Sequence, residues 1–273
     1  MQLVVITLCL NDLVELMKTE KSILSQLLPV EWVIVTPFNN SPTHMYVEQL
    51  YTDGIVKKII PDEGVGVYPA MNAGIADIDD QNWIWFINAG DQLPGSKTYV
   101  NVIDYINKTR NRWIYGGHFL GSDRGEILGE IQAPEIFKIS NQLFSKKYIS
   151  HQSTIFSSKF IKELGGFRTD LKIAADWDLM ARASLVDSGQ RISETISIFY
   201  MGGLSTASRQ VGNEELLSIR NRYLSKYYLP KSYLWFYYRV IRNYFVRLGE
   251  VRLPKVVNWI RGFRFTLNSL KIK

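Results

Sequence analysis

Two stretches of the chain carry residue types whose spacing could do chemistry. In Phe86-Ile-Asn-Ala-Gly-Asp91 an apolar run leads straight into a small-residue turn that ends in an acid. Hard cations such as Mg²⁺ or Mn²⁺ take oxygen ligands and often divide them between one or two carboxylates and substrate phosphates. Asp91 at a strand end suits that task, and it equally suits a plain Gly-Asp turn. In Asp62-Glu-Gly-Val-Gly-Val-Tyr-Pro-Ala-Met-Asn-Ala-Gly74 two glycines precede a helical stretch and one lies inside it. Glycines let backbone approach a ligand closely, and a helix N-terminus favours phosphate. A simple strand-to-helix turn has the same composition. The tract is neither a Walker A loop, lacking Gly-Lys-Ser/Thr, nor a G-x-G-x-x-G fingerprint following a strand.

Strands and helices must alternate to position such groups. Leu3–Leu10 is a short apolar run with β-branched residues, as expected of a strand buried on both faces. Asn11-Asp12 offers an N-cap, and Leu13 to Leu28 recur at helical spacing until Pro29. Trp32–Val35, Ile55–Ile60 and Trp83–Ile87 read as further strands. Pro42–Tyr51 and Tyr68–Ile78 read as helices. Repeated β-then-α units predict a mostly parallel sheet flanked by helices. Ligands bind such sheets at the C-terminal strand ends. Those ends are Thr7–Asn11, Thr36–Asn40, Pro61–Gly66 and Asn88–Asp91. Trp83 and Trp85 alternate with Ile84 and are expected to pack the sheet. His44 and His118 have no partner spacing.

The 273 residues are 46% hydrophobic and 21% charged, which excludes global disorder. The single cysteine, Cys9, excludes an internal disulfide or a cysteine-held zinc. No secretory signal is expected, because no basic region precedes a long apolar stretch. No apolar run reaches the roughly 20 residues that span a bilayer. The net charge of +6 is uneven. Residues 222–273 hold twelve Lys/Arg against one acid, Glu250, which leaves the remainder net acidic. This segment also holds 13 of the 35 aromatic residues. The expected organisation is therefore a globular unit over 1–211 and a basic, aromatic, helical extension over 212–273.

The order of motifs resembles the family 2 glycosyltransferases of GT-A fold. Ile6-Thr-Leu-Cys-Leu-Asn11 is similar to that family's opening strand, and Ser22-Ile-Leu-Ser-Gln26 to its S-x-x-x-Q helix. Gly66-Val-Tyr-Pro-Ala-Met-Asn-Ala-Gly74 resembles its G-x-x-x-A-x-N-x-G segment. Phe86–Asp91 resembles F-L-N-x-G-D, a variant of the aspartate-rich metal motif. His151-Gln152, Gly165-Gly-Phe167 and Ala175-Asp-Trp-Asp-Leu179 resemble the acceptor-side block. Gly202-Gly-Leu-Ser205 resembles a turn of the bacterial polysaccharide branch. The resemblance covers about residues 3–208.

It implies transfer of a sugar from a nucleotide-sugar to an acceptor hydroxyl with inversion, in surface polysaccharide synthesis. One carboxylate would deprotonate the hydroxyl while a divalent cation, Mn²⁺ or Mg²⁺, and backbone donors neutralise the leaving diphosphate. By position Asp176 would be the base and Asp91 the metal ligand. Asn88 would face ribose or phosphate, and His151 the diphosphate or acceptor. Thr7, Leu8 and Asn11 would line the nucleotide pocket, with Gly66 and Asn72 alongside. Asp176 could instead cap the helix that follows it, and His151 could be an ordinary polar residue at a strand start.

Three departures from the family pattern matter. No acid follows the second strand, so Thr36, Asn39 and Asn40 are the available substitutes for reading a nucleobase. Asn88 and Gly90 stand where other members carry Asp, which implies weak metal dependence. The Q-x-x-R-W signature of processive enzymes is absent, which implies addition of one residue at a time. The acceptor is expected to be carbohydrate or lipid-linked. In the C-terminal segment Tyr223 to Phe245 interleave with Arg222 to Arg247, as suits the headgroup zone of an anionic membrane, and equally suits helices that pack on the globular unit and keep a solvated basic face. A peripheral enzyme on the cytoplasmic face of the cell membrane would follow, with no nucleic-acid partner. Alternatives are a non-catalytic nucleotide- or sugar-binding protein of the same fold, a nucleic-acid-binding module using residues 222–273, and a nucleotidyltransferase, for which the basic glycine-rich N-terminal loop is missing.

Overall fold

The structure, a computed structural model, describes residues 1–139, 149–201 and 209–223, together with 233, 234, 237, 238 and 241. Gly202–Ser205 and most of 224–273 lie outside the described residues.

The strands are β1 (Leu3–Leu8), β2 (Glu31–Thr36), β3 (Lys58–Pro61), β4 (Trp83–Phe86), β5 (Trp113–Gly121), β6 (Ile127–Ile131), β7 (Thr154–Ser157) and β8 (Gln190–Tyr200). The helices are α1 (Leu13–Leu24), α2 (Pro42–Thr52), α3 (Val67–Ala76), α4 (Thr98–Lys108), α5 (Ser158–Glu163), α6 (Ala175–Val186) and α7 (Arg209–Tyr223). A 3₁₀ turn, His151–Ser153, leads into β7. One eight-stranded sheet runs in the order β3-β2-β1-β4-β7-β5-β6, with β8 paired to β5. The β3-β2-β1-β4 half is parallel, as is the β5–β8 pair, while β7 and β6 pair antiparallel. Because β7 runs against β4, its start lies beside the C-terminal end of β4.

Side chains alternate across a strand, and here the alternation divides the core into two layers. Val4, Ile6, Val33, Val35, Ile84 and Phe86 face one side, where α3, α5, α6 and α7 supply Met71, Phe160, Leu179, Leu216 and Ile219. Leu3, Val5, Trp32, Ile34, Trp83 and Trp85 face the other, where α1, α2 and α4 supply Leu16, Leu50 and Val102. Trp83 and Trp85 thus pack the sheet as their alternation indicates.

Helix α1 stops at Leu24, before the Leu28 that its spacing suggests. Beyond it the chain is drawn onto the segment entering α4. Leu27 N–H donates to Ser96 O, Gln26 Nε2 to Gly95 O, and Gln26 Oε1 accepts from Tyr99 N–H. Leu24, Leu27 and Leu28 are exposed rather than core residues. Helix α7 spans the 211/212 position and packs Leu216 and Ile219 into the same layer as α6.

Candidate active site

The turn after β4 is fastened to α1. Gly90 N–H donates to Glu15 O at 3.1 Å and to Thr19 Oγ1 at 3.0 Å. The Thr19 hydroxyl in turn donates to Asp91 O at 2.8 Å. Gly90 has φ +97°, and a Cβ there would stand 2.7 Å from Glu15 Oε2. An aspartate at that position would be strained and would meet a carboxylate, which accounts for the glycine where related motifs have an acid.

This fastening buries Asp91. Its Oδ2 accepts from Gln152 Nε2 at 2.7 Å, and its Oδ1 faces Tyr200 N–H at 3.4 Å. Burial pushes its carboxyl up to about 6, against the lowering effect of the Gln152 hydrogen bond, the His151 ring and the Tyr200 amide; Glu15 adds to the rise. Gln152 is itself fixed because Trp85 Nε1 donates to its carbonyl at 2.7 Å.

His151, next in sequence, faces the other way. Asn88 Nδ2 lies 3.2 Å from His151 Nε2. An amide nitrogen donates, so in this contact Nε2 is the acceptor and Nδ1 is the ring nitrogen left to donate. Nδ1 lies 3.6 Å from Asp176 Oδ2. The Asp176 and His151 side chains keep 16% and 22% of their exposure, so both meet solvent from within the fold. Asp176 sits in the first turn of α6, where the helix N-terminus favours an anion. Its Oδ1 accepts from Trp177 N–H at 2.8 Å. It also contributes to the rise of the buried Tyr68 hydroxyl, whose main cause is burial. A narrow, mostly apolar cavity lined by Phe86, His151, Phe167, Asp176 and Met180 adjoins the pair.

Asn88, Asp91, His151 and Asp176 are therefore brought together through the His151-Gln152 pair. Other residues singled out in the sequence lie elsewhere or are engaged. Thr7 is buried, donating to Ile87 O at 2.6 Å and accepting from Trp32 Nε1 at 2.9 Å. Leu8 packs at the edge of the core. Asn11, at φ 54°, is exposed and accepts from Asn39 Nδ2 at 3.3 Å. Thr36 is buried with its hydroxyl unpartnered. Gly66 is the exposed N-cap of α3. Asn72 spends its amide on Phe167, donating to its carbonyl and accepting from its N–H, both at 2.8 Å. Glu15, Thr19, Gln152 and Tyr200 enter the site without a role assigned from sequence. Gln152 alone had a signal, its place beside His151.

Among the described residues no group of three or more His, Cys, Asp or Glu is assembled to hold a metal alone. Asp91 and the buried, unpartnered Asn88 Oδ1 are hard oxygens from one turn. That donor set fits a small divalent cation whose other ligands come from a substrate's phosphates.

The fold has well-matched neighbours among solved structures. Staphylococcus aureus TarS 1-349 superposes with a TM-score of 0.64 at 14% identity, covering 97% of this chain and 79% of that one. The fold is GT-A-like. A second GT-A neighbour is the mannosyltransferase PcManGT from Pyrobaculum calidifontis, in complex with GDP-Man and Mn²⁺, with a TM-score of 0.58, 14% identity, and 97% and 80% of the two chains covered. TarS 1-349 is also known in complex with UDP-GlcNAc. Against the longer TarS chain the match spans 39% of its length. Among curated sequences, an uncharacterized glycosyltransferase of Mycobacterium tuberculosis is 28% identical over 185 residues, 67% of this chain and 68% of that protein. A PGL/p-HBAD biosynthesis glycosyltransferase of Mycobacterium bovis is 28% identical over 122 residues, 44% of each chain. No protein-family model matches. The curated relatives support a glycosyltransferase role, and the solved neighbours show the GT-A-like fold.

Proposed function

We propose that the chain is an inverting, non-processive family 2 glycosyltransferase in which Asp176 is the general base. The observation that carries this is the convergence of Asp91 and Asp176 on consecutive residues, Gln152 and His151, at the C-terminal end of β4. The diphosphate of a nucleotide-sugar would lie at the Asn88–Asp91 turn, with Asp91 and Asn88 Oδ1 holding the cation that neutralises the leaving charge. Asp176 takes the proton of an acceptor hydroxyl as its oxygen bonds to the anomeric carbon and the bond to the diphosphate breaks on the opposite face. His151, braced by Asn88, holds a proton toward Asp176 and orients that carboxylate. The nucleotide is proposed to extend past Leu8, Asn11, Thr36 and Gly66 along the neighbouring strand ends.

The proposed acceptor is a carbohydrate or lipid-linked hydroxyl in surface polysaccharide assembly, with catalysis in 1–211 braced by α7, and membrane contact through the part of 212–273 that follows α7, at the cytoplasmic face. Tyr233, Leu234, Tyr237, Tyr238 and Ile241 are helical and exposed at a spacing that shares one face, within the basic segment. Among the described residues no helix is long and apolar enough to cross a membrane. Liposomes containing anionic lipid should bind the protein in preference to single-stranded oligonucleotides; the reverse preference contradicts the membrane assignment. For the site, a thermal-shift screen of nucleoside diphosphates and nucleotide-sugars should show Mn²⁺-dependent stabilisation by at least one of them. No shift across the panel contradicts the reading.

A further inference from the structure

Helix α6 begins without a cap of its own. Ala174 occupies its N-cap position and offers no side-chain acceptor. The first amide groups of a helix lack partners within it. The residues that lead into the helix are instead held from far along the chain. Glu215, on α7, receives Lys172 N–H on Oε1 at 2.7 Å, and Ile173 N–H and Ala174 N–H on Oε2, both at 2.9 Å. Three successive amides thus close on one carboxylate two residues before Asp176. From the opposite side, the Tyr68 hydroxyl donates to Ile173 O at 2.7 Å. A second tie lies one residue beyond the Asp176–Trp177 pair. Tyr223, at the end of the same α7, donates its hydroxyl to the buried Asp178 Oδ1 at 2.8 Å. Asp178 is held further by Arg182 at 2.7 Å, and Arg182 donates to Gly166 O. Helix α7 therefore grips the chain on both sides of Asp176.

We infer that Glu215 is a positioning residue for Asp176, and that α7 fixes the base relative to the His151 ring. The inference rests on the glycosyltransferase reading for its kinetic consequence, though not for its structural one. A carboxylate collecting three successive amides fixes the chain just before the helix that carries Asp176, and a displacement of an ångström at a reacting group is enough to cost roughly a hundredfold. Both carboxylate oxygens of Glu215 are engaged by backbone amides, so its loss should act on turnover and leave donor binding intact.

The test compares wild type, Glu215→Ala, Glu215→Gln and a distant control, Tyr99→Phe, which loses a buried hydroxyl contact to Leu3 O on the far side of the sheet. In Glu215→Ala, kcat with a nucleotide-sugar the wild type accepts should fall roughly tenfold to a hundredfold, with donor KM within about twofold. Glu215→Gln keeps one carbonyl acceptor and should lie between. Tyr99→Phe should keep its kcat even where its melting temperature falls as far. Amide exchange at 172–174, measured with no substrate, should be about tenfold or more faster in Glu215→Ala than in wild type. Unchanged kcat in a folded Glu215 variant overturns the inference, as does fast exchange of these amides in wild type, a result that needs no variant to fold. A wild type that turns over no donor in the panel, with protected amides, overturns the glycosyltransferase reading and leaves the α7 clamp in place.

Discussion

Nδ1 of His151 lies 3.6 Å from Oδ2 of Asp176. Its neighbour Gln152 reaches 2.7 Å to Asp91 Oδ2. Consecutive side chains on a 3₁₀ turn thus address two acids from distant parts of the chain, one buried and one partly open to solvent. Burial and a hydrogen-bonded surrounding set Asp91 apart from the more open Asp176, and the proposed roles of cation holder and base make use of that difference.

Asp91 should make the fold sensitive to acid in an unusual direction. Its carboxyl is raised from 3.8 to about 6 by burial. Below pH 4 the group is protonated folded or unfolded. Between pH 4 and 6 the unfolded chain loses the proton first, so stability falls as pH rises. An acid moved that far costs the fold about 3 kcal/mol once ionised. In cation-free buffer, melting temperatures of wild type should therefore drop relative to Asp91→Asn from pH 4 to 6 and stay parallel above. Parallel curves throughout would show that Asp91 is not buried as described.

Gln152 holds the ionised form of Asp91, because an amide donor favours a carboxylate over a carboxylic acid. Gln152→Leu should push the Asp91 carboxyl higher still. The pH midpoint for Mn²⁺-dependent nucleotide binding, read by calorimetry, should move upward in the variant. A midpoint identical to wild type would remove Gln152 from the site.

The parallel half of the sheet is legible in the sequence because β1, β2 and β4 are short, continuous apolar runs, with helical spacing after β1 and β2. Asp91 is legible for a related reason, since an acid that ends such a run must sit at a strand's C-terminal end. What spacing alone misses is long-range hydrogen bonding. Gln26 draws the chain out of α1 four residues early, and nothing in a run of leucines announces that. Thr7 reads as a strand-end polar group, yet the pleat turns it toward Trp32. Asn72 matches a motif position, but its amide is consumed by Phe167. Glu215, Thr19 and Tyr200 act on partners distant in sequence, so no local pattern marks them.

Asn72 should matter to stability. It exchanges two hydrogen bonds with the Phe167 backbone, and a net hydrogen bond is worth roughly 0.5–1.5 kcal/mol. Asn72→Ala should cost about 1–3 kcal/mol in urea unfolding. Gly166→Ala should cost a similar amount or more, because Gly166 has φ +65° and a Cβ would stand 2.5 Å from Asn72 Oδ1. Unfolding midpoints equal to wild type would contradict this clamp.

The most direct measurement of the central claim is release of nucleoside diphosphate from a panel of nucleotide-sugars with Mn²⁺ and sugar or lipid-linked acceptors, comparing wild type with Asp176→Asn. Acceptor-dependent release by wild type is predicted, reduced roughly 100- to 10,000-fold in Asp176→Asn, with nucleotide affinity retained. Equal release by both proteins, or no transfer by wild type to any acceptor, would contradict it.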